Sequence, residues 1–380
     1  MKELVGIIGS GNIGRDPFHP RSWSGSSRFF FQALQERKLL KRAFGVEAPS
    51  QQRYPLLLKN FHPNRKIWRE KFYHDPSYYK ALTQEIDRHI LDSDFDSDFI
   101  QVGAIYDVPS LVKKRSRCFS YHDGDYINAI KSPFRKNLIS PQKEKAALDY
   151  AAKVYSGLDC VFTMSQFLAN SLVEGYGLDA KRVVNIGAGI NYALPDLKPK
   201  HFNSPEILFV GIDFERKGGP FILECFQDIK DQIPEAKLHI VGPHKLDLPS
   251  RLSKGVHYHG FLDKSEAGRA KFQQLLDKAS LFVMASLYEP FGIAPLEAMA
   301  NQIPCLLPDA WAFSEMINEE VNGLLFEPQQ QDDFVAKACQ ILNTDSAGLQ
   351  LMAQGARKTV LDNYTWDGVA LRLENAIDTL

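Results

Sequence analysis

Short apolar runs recur along the chain, most regularly in its second half, with amphipathic stretches between them. The runs Ile207–Gly211, Leu238–Gly242, Val256–Gly260, Leu281–Met284, Pro304–Leu307 and Gly323–Phe326 predict buried strands. The stretches 219–231, 265–278, 293–301 and 331–343 predict helices. Strands alternating with helices of these lengths imply βαβ units and a parallel sheet. The first half repeats the theme less cleanly. Strands are expected at Leu4–Ile8, Phe99–Gly103, Cys118–Tyr121, Val161–Met164 and Val183–Ile186, and helices at Ser26–Arg37, 142–156 and Gln166–Tyr176. The stretch 45–80 reads as irregular and rich in aromatic and basic residues. Leu194–Pro205 holds three prolines and no periodicity, so it reads as a linker. The expected organisation is therefore α/β, with one domain over 1–195 and another over 196–365. Ligands of open α/β sheets bind beyond the carboxyl ends of the strands, so both domains would offer loops to a shared cleft.

Composition narrows the class. At 380 residues, 44% apolar and 24% charged, the chain is an ordinary globular one, long enough for two or three domains. Lys+Arg number 45 and Asp+Glu 46, so the basic excess of a dedicated nucleic-acid binder is missing, and no nucleic-acid partner is expected. The five cysteines are odd in number and never at CxxC spacing, which argues against a disulfide scaffold or zinc ribbon and fits a reducing compartment. The opening apolar run is too short for a signal sequence, and no stretch approaches a membrane span. A cytoplasmic, soluble protein is the expectation.

The chemistry concentrates in a few places. In Ser286–Ala300 a strand enters a loop bearing Glu289, and Gly292 then opens a helix carrying Glu297. Free N–H groups at Gly292 and Ile293, with the helix dipole, suit an anion. Helical side chains tilt toward the N-terminus, so Glu297 is placed to accept from the hydroxyls of a ribose attached to that anion. The alternative is two solvated glutamates near a helix start. Arg216 and Lys217 precede Gly218 and Gly219 at a strand-to-helix turn, where glycines let backbone approach a phosphate; an ordinary exposed basic pair is the alternative. Gly9, Gly11 and Gly14 satisfy the dinucleotide fingerprint in spacing, but Pro17 and Pro20 follow where a helix should begin. His122 and Asp123 follow a predicted strand and by themselves read as a turn cluster, since Asp and Gly are common turn residues. The aspartate run 92–98 mimics metal motifs but lacks the glycine and glutamate of a calcium loop, so it reads as a solvated loop. Residues 59–74 interleave basic and aromatic side chains, and three readings stay open: an interfacial membrane anchor, an acceptor-binding flap, or a surface loop packing on its own domain.

The spacing of Glu289 and Glu297 in the setting EPFGIAPLEAMA resembles the signature of GT-B glycosyltransferases of family 4. The stretch Phe209–Gly219 is similar to that family's phosphate-binding turn, and Phe162–Leu168 followed by Gly187–Asn191 is similar to its run into the interdomain linker. The resemblance implies two Rossmann-like domains facing across a cleft, with 366–380 crossing back to the N-terminal domain. It also implies retaining transfer of a hexosyl group from a UDP- or GDP-sugar to a hydroxyl of a sugar, glycan or lipid-linked acceptor, with no cofactor and no essential metal. Carried over residue by residue, it places His122, Glu289, Lys217 and Arg216 in catalysis. It assigns donor binding to Gly11, Gly25, Asp123, Gly211, Gly218, Phe261, Leu262, Phe291, Gly292, Ile293 and Glu297. The chain departs from the pattern at Ile212, where many family members carry Arg. A nucleotide-sugar-binding protein without catalysis and an NAD-dependent oxidoreductase remain as rivals, and peripheral contact with the inner membrane face through 59–74 stays open.

Overall fold

The computed structural model describes residues 2–9, 16–112, 116–134, 138–194, 200, 202–263 and 265–380. The expected position Gly11, and most of the linker between 194 and 205, lie outside the described residues. Two compact units emerge, one comprising Met1–Asn191 with Trp366–Leu380 and the other Tyr192–Thr365. No helix among the described residues is long and apolar enough to cross a membrane.

The N-terminal unit is built on β1 (Leu4–Gly9), β2 (Leu40–Val46), β3 (Asp98–Val102), β4 (Cys118–His122), β5 (Cys160–Thr163) and β6 (Val183–Asn185), in the order β2-β1-β3-β4-β5-β6. Every pairing is parallel. Parallel strands covered on both faces read as continuous apolar runs. β2 was not among the expected strands because Lys41 and Arg42 interrupt its run.

The irregular reading of 45–80 is corrected. That region folds into helices at Ser50–Lys59, Arg65–Tyr73 and Pro76–His89. The second and third start on side-chain caps: Asn64 accepts the N–H groups of Lys66 and Ile67, and Asp75 accepts that of Ser77 ahead of Pro76; the first follows Pro49 with no side-chain cap. The run 92–98 is also corrected. Asp94 is fully buried and paired with Arg42, and buried Asp98 pairs with Arg117 at 2.9 Å. Although burial opposes ionisation, the Arg42 guanidinium holds the Asp94 carboxyl below its usual range.

The C-terminal unit carries β7 (Glu206–Val210), β8 (Lys237–Val241), β9 (Val256–Gly260), β10 (Leu281–Val283), β11 (Cys305–Pro308) and β12 (Gly323–Phe326), ordered β12-β11-β10-β7-β8-β9 and all parallel. Strand order reverses between β7 and β10. The loops leaving their carboxyl ends are thus neighbours at a topological switch point, the usual ligand crevice of such sheets.

The Trp366–Asp378 helix packs on the N-terminal unit. The Trp366 and Phe30 rings lie 6.1 Å apart, Arg37 pairs with Glu374 at 2.7 Å, and Arg372 donates to the Ile186 carbonyl at 2.6 Å.

Candidate functional site

At the switch point of the C-terminal unit, two loops are stitched together through their backbones. Ala285 N–H donates to the Lys217 carbonyl at 3.2 Å, and Leu287 N–H to the Arg216 carbonyl at 2.9 Å. Gly218 makes this approach feasible: it has φ +75°, and a Cβ there would strike the Ala285 carbonyl. At Gly211 a Cβ would meet the Lys217 side chain at 2.9 Å.

The stitching delivers two cations to one carboxylate. Lys217 Nζ pairs directly with Glu289 Oε2, and Arg216 Nη1 lies 3.2 Å from the same oxygen. Arg216 also donates to the Tyr288 carbonyl at 2.7 Å and lies 3.4 Å from Asp213. Glu289 and Lys217 are largely buried. Glu289 sits at the mouth of the Ile293–Ala300 helix, since its Cγ would be 3.3 Å from a Cβ on Gly292. Gly292 caps that helix with φ +96°, and no side chain caps its first N–H groups, so the amide end at Ile293 keeps its anion-attracting character. Phe291 is buried and Glu297 half-buried on the helix.

The far end of the helix is clamped. Tyr192 Oη and Asn301 Nδ2 both donate to the Glu297 carbonyl, at 2.9 and 2.8 Å. Arg357 donates to the Ala300 carbonyl at 2.7 Å, putting positive charge at the negative end of the dipole. Tyr192 and Arg357 were missed from sequence because nothing local marks residues that act through a partner distant in the chain. Asp213 and Asn301, which meet Arg216 and Glu297 within four residues along the chain, were missed because polar residues beside a turn or a helix end are common. Ser286 was missed too, although it lies inside the expected loop; its hydroxyl is buried with no hydrogen-bond partner among the described residues.

Beside the turn runs a cleft of about 640 Å³, with Ile212–Glu215 on one wall and Pro243–Asp247 on another. Phe261 is 45% exposed, its ring 4.6 Å from that of His244, and Leu262 is half-buried next to it.

In the N-terminal unit, Gly25, His122 and Asp123 gather near the end of β4. Trp23 and Ser24 hold positive φ (45° and 58°), a costly backbone for non-glycine residues, and Gly25 follows at φ 98°. The Trp23 indole N–H donates to Asp123 at 2.9 Å, and its ring meets Tyr121 edge-on. The His122 ring is buried, with Nε2 2.8 Å from the Ser120 hydroxyl, and its carbonyl accepts from Met164 N–H. Burial pulls its pKa down to about 3, so the ring is neutral at physiological pH. Among the described residues no group of His, Cys, Asp and Glu is placed to hold a metal ion.

Residues 196–359 match the family model described as glycosyl transferases group 1. Mannosylfructose-phosphate synthase of Agrobacterium fabrum is 25% identical over 60% of this chain and 55% of its own length. An uncharacterized glycosyltransferase of Methanocaldococcus jannaschii is 30% identical over 44% of this chain and 43% of its own. The chain thus spans about half the length of these curated relatives. Among solved structures, sucrose-phosphate synthase from Thermosynechococcus elongatus superposes with a TM-score of 0.69 at 16% identity, over 100% of this chain and 99% of that one. Anabaena HepE, solved with UDP, gives 0.62 at 15% identity over the whole of both chains. The fold is GT-B. Within this GT-B chain, the matched segment contains both stitched loops of the C-terminal unit.

Proposed function

We propose that this GT-B chain is a retaining glycosyltransferase of family 4 that moves a hexosyl group from a UDP- or GDP-sugar to a hydroxyl of a sugar, glycan or lipid-linked acceptor. The observation that carries the reading is the convergence of Arg216 and Lys217 on Glu289 at the open helix end of Gly292 and Ile293. Two cations meet the Glu289 carboxylate there, Asp213 lies beside Arg216, and the helix start has no side-chain cap, so the positive end of the helix dipole is left to attract a diphosphate.

In the reaction the bond from the sugar C1 to the β-phosphate oxygen breaks, and its electron pair stays on that oxygen. The acceptor oxygen bonds to C1 on the same face, and its proton passes to the leaving phosphate. Arg216, Lys217 and the helix end stabilise the charge that develops on the diphosphate, a task a metal performs elsewhere, so none is essential. Glu289 positions the two cations, and Gly211 and Gly218 admit the phosphates to the backbone. Glu297 accepts from the ribose hydroxyls, while Phe261, Leu262 and Phe291 flank the nucleoside. Gly11, Gly25 and Asp123 serve the donor from the N-terminal unit. Neutral His122 orients the loop through which sugar hydroxyls are met. The protein works in the cytoplasm.

The test is nucleotide release and product formation from UDP- and GDP-hexoses in excess EDTA, with product configuration read by NMR. The wild type should transfer with retention, and Lys217→Ala should lower turnover at saturating donor by about 10²–10³. Near-normal turnover of that variant, inverted product, or dependence on added Mg²⁺ would each overturn the corresponding part.

A further inference from the structure

The Ser50–Lys59 and Arg65–Tyr73 helices enclose a pocket of about 150 Å³ that the transfer chemistry leaves unused. Leu57, Trp68 and Phe72 form an apolar floor, and Arg53, Arg65 and Arg69 ring it. Helical spacing explains the convergence. Arg65, Trp68, Arg69 and Phe72 fall on one face of their helix, and Arg53 and Leu57 lie one turn apart on the other. The Trp68 indole donates to the Leu57 carbonyl at 2.9 Å, tying the two helices together across the floor.

The charge around this pocket is unbalanced. Residues 50–74 hold six lysines and arginines against one glutamate, Glu70, whose carboxylate lies 3.5 Å from His74. Nearby Lys59 and Lys143 both face Asp75, at 3.0 and 3.7 Å. Among the described residues, none of the three pocket arginines has an ion pair or a side-chain hydrogen bond. Three guanidinium groups around one concavity repel each other unless an anion sits between them, and their planar forks match phosphate oxygens in pairs. The volume is roughly five times the ~30 Å³ that a water occupies in the liquid, enough for a phosphate and the first atoms of its carrier.

We propose that this pocket is a phosphate-binding site, taking a phosphate mono- or diester borne on a sugar or a lipid. The aromatic floor suits either carrier: a sugar face stacks on it, and exposed Tyr54, Leu58 and Phe61 beside it suit an acyl boundary. The site is joined to the loop after β4. His74 ends the pocket helix and stacks on Tyr126 at 4.5 Å, and Tyr126 begins the helix that follows His122–Asp125. The phosphate site does not depend on the transfer reading. If that reading holds as well, the phosphate belongs to the acceptor.

The test uses the full chain with two probes: glucose 6-phosphate by calorimetry, with glucose as its control, and phosphatidylcholine vesicles containing phosphatidylglycerol by sedimentation. Arg65→Ala/Arg69→Ala is compared with Lys145→Ala/Lys358→Ala, which removes two exposed lysines elsewhere. Loss of two charged hydrogen bonds should weaken binding at least ten-fold, with the control unchanged. Loss confined to glucose 6-phosphate assigns a soluble sugar phosphate, and loss confined to vesicles assigns a lipid headgroup. Arg65→Lys/Arg69→Lys, which keeps charge but not the forks, should fall between wild type and the alanine variant, and it serves as the readout if circular dichroism shows the alanine variant unfolded. Failure of the wild type to bind either probe, equal binding of glucose and glucose 6-phosphate without vesicle binding, or equal loss in the control variant would overturn the proposal.

Discussion

Glu297 stands half-buried on a helix whose far end is held by Tyr192, Asn301 and Arg357, so its carboxylate is presented from a fixed support. Glu297→Gln preserves shape while weakening acceptance from two hydroxyls. A charged hydrogen bond is worth roughly 1.5–3 kcal/mol, so UDP- or GDP-sugar affinity by calorimetry should fall about ten-fold or more. Unchanged affinity would remove Glu297 from the ribose. His122 makes a different kind of statement. Its folded pKa of about 3 lies below the ordinary value near 6.5, because burial penalises the imidazolium. As pH falls below 6.5 the unfolded chain takes up a proton that the folded chain refuses, so the stability present above that value drains between 6.5 and about 3. The loss is at most about 1.4 kcal/mol per pH unit. Urea midpoints at pH 7 and pH 5 should therefore drop further for wild type than for His122→Gln, and equal drops would show that His122 does not control the window.

At the scale of an element, the turn after β7 depends on Gly218. The glycine combines φ +75° with a backbone carbonyl where its Cβ would go, whereas Gly177 has φ +65° and open space around it. Gly218→Ala should cost about 1–3 kcal/mol from overpacking on top of its backbone strain. Gly177→Ala should cost only the strain. Denaturant unfolding of the two variants compares the terms directly, and similar losses would mean that the contact with Ala285 is relieved cheaply. The strand ends flanking this turn were legible because apolar runs closed by glycine are short-range signals. The helices between 50 and 89 were not, because their apolar faces are narrow and polar caps such as Asn64 and Asp75 also serve ordinary turns.

Over the whole molecule, the last helix belongs to the unit in which the chain begins. Trp366, Val369, Leu373 and Ile377 are buried, and Arg117 donates to the Ile377 carbonyl at 3.1 Å. Leu373→Ala should cost about 2–5 kcal/mol, as large-to-small core changes do. Leu373 is fully buried in the first unit, while Leu223 lies in a core cluster confined to the second, so calorimetry should show Leu373→Ala shifting one transition and Leu223→Ala the other. A common shift of all unfolding by either variant would mean that the units melt as one.

By itself the sequence determined the alternation of strands and helices, the parallel class of both sheets, the glycine turns and the paired glutamates at 289 and 297. These are properties of neighbours along the chain: burial periodicity and the conformational range of glycine. Only the tertiary structure decided which cations meet Glu289, since Arg216 and Lys217 reach it through the adjacency of β7 and β10, strands far apart in sequence. It likewise decided that Asp94 is a buried partner of Arg42 and not a solvated loop residue, and that three arginines of two short helices face one pocket. The physical reason is common to all three. A charge acquires its role from the groups that replace water around it, and those groups are chosen by strand order and helix packing, to which local sequence pattern is blind.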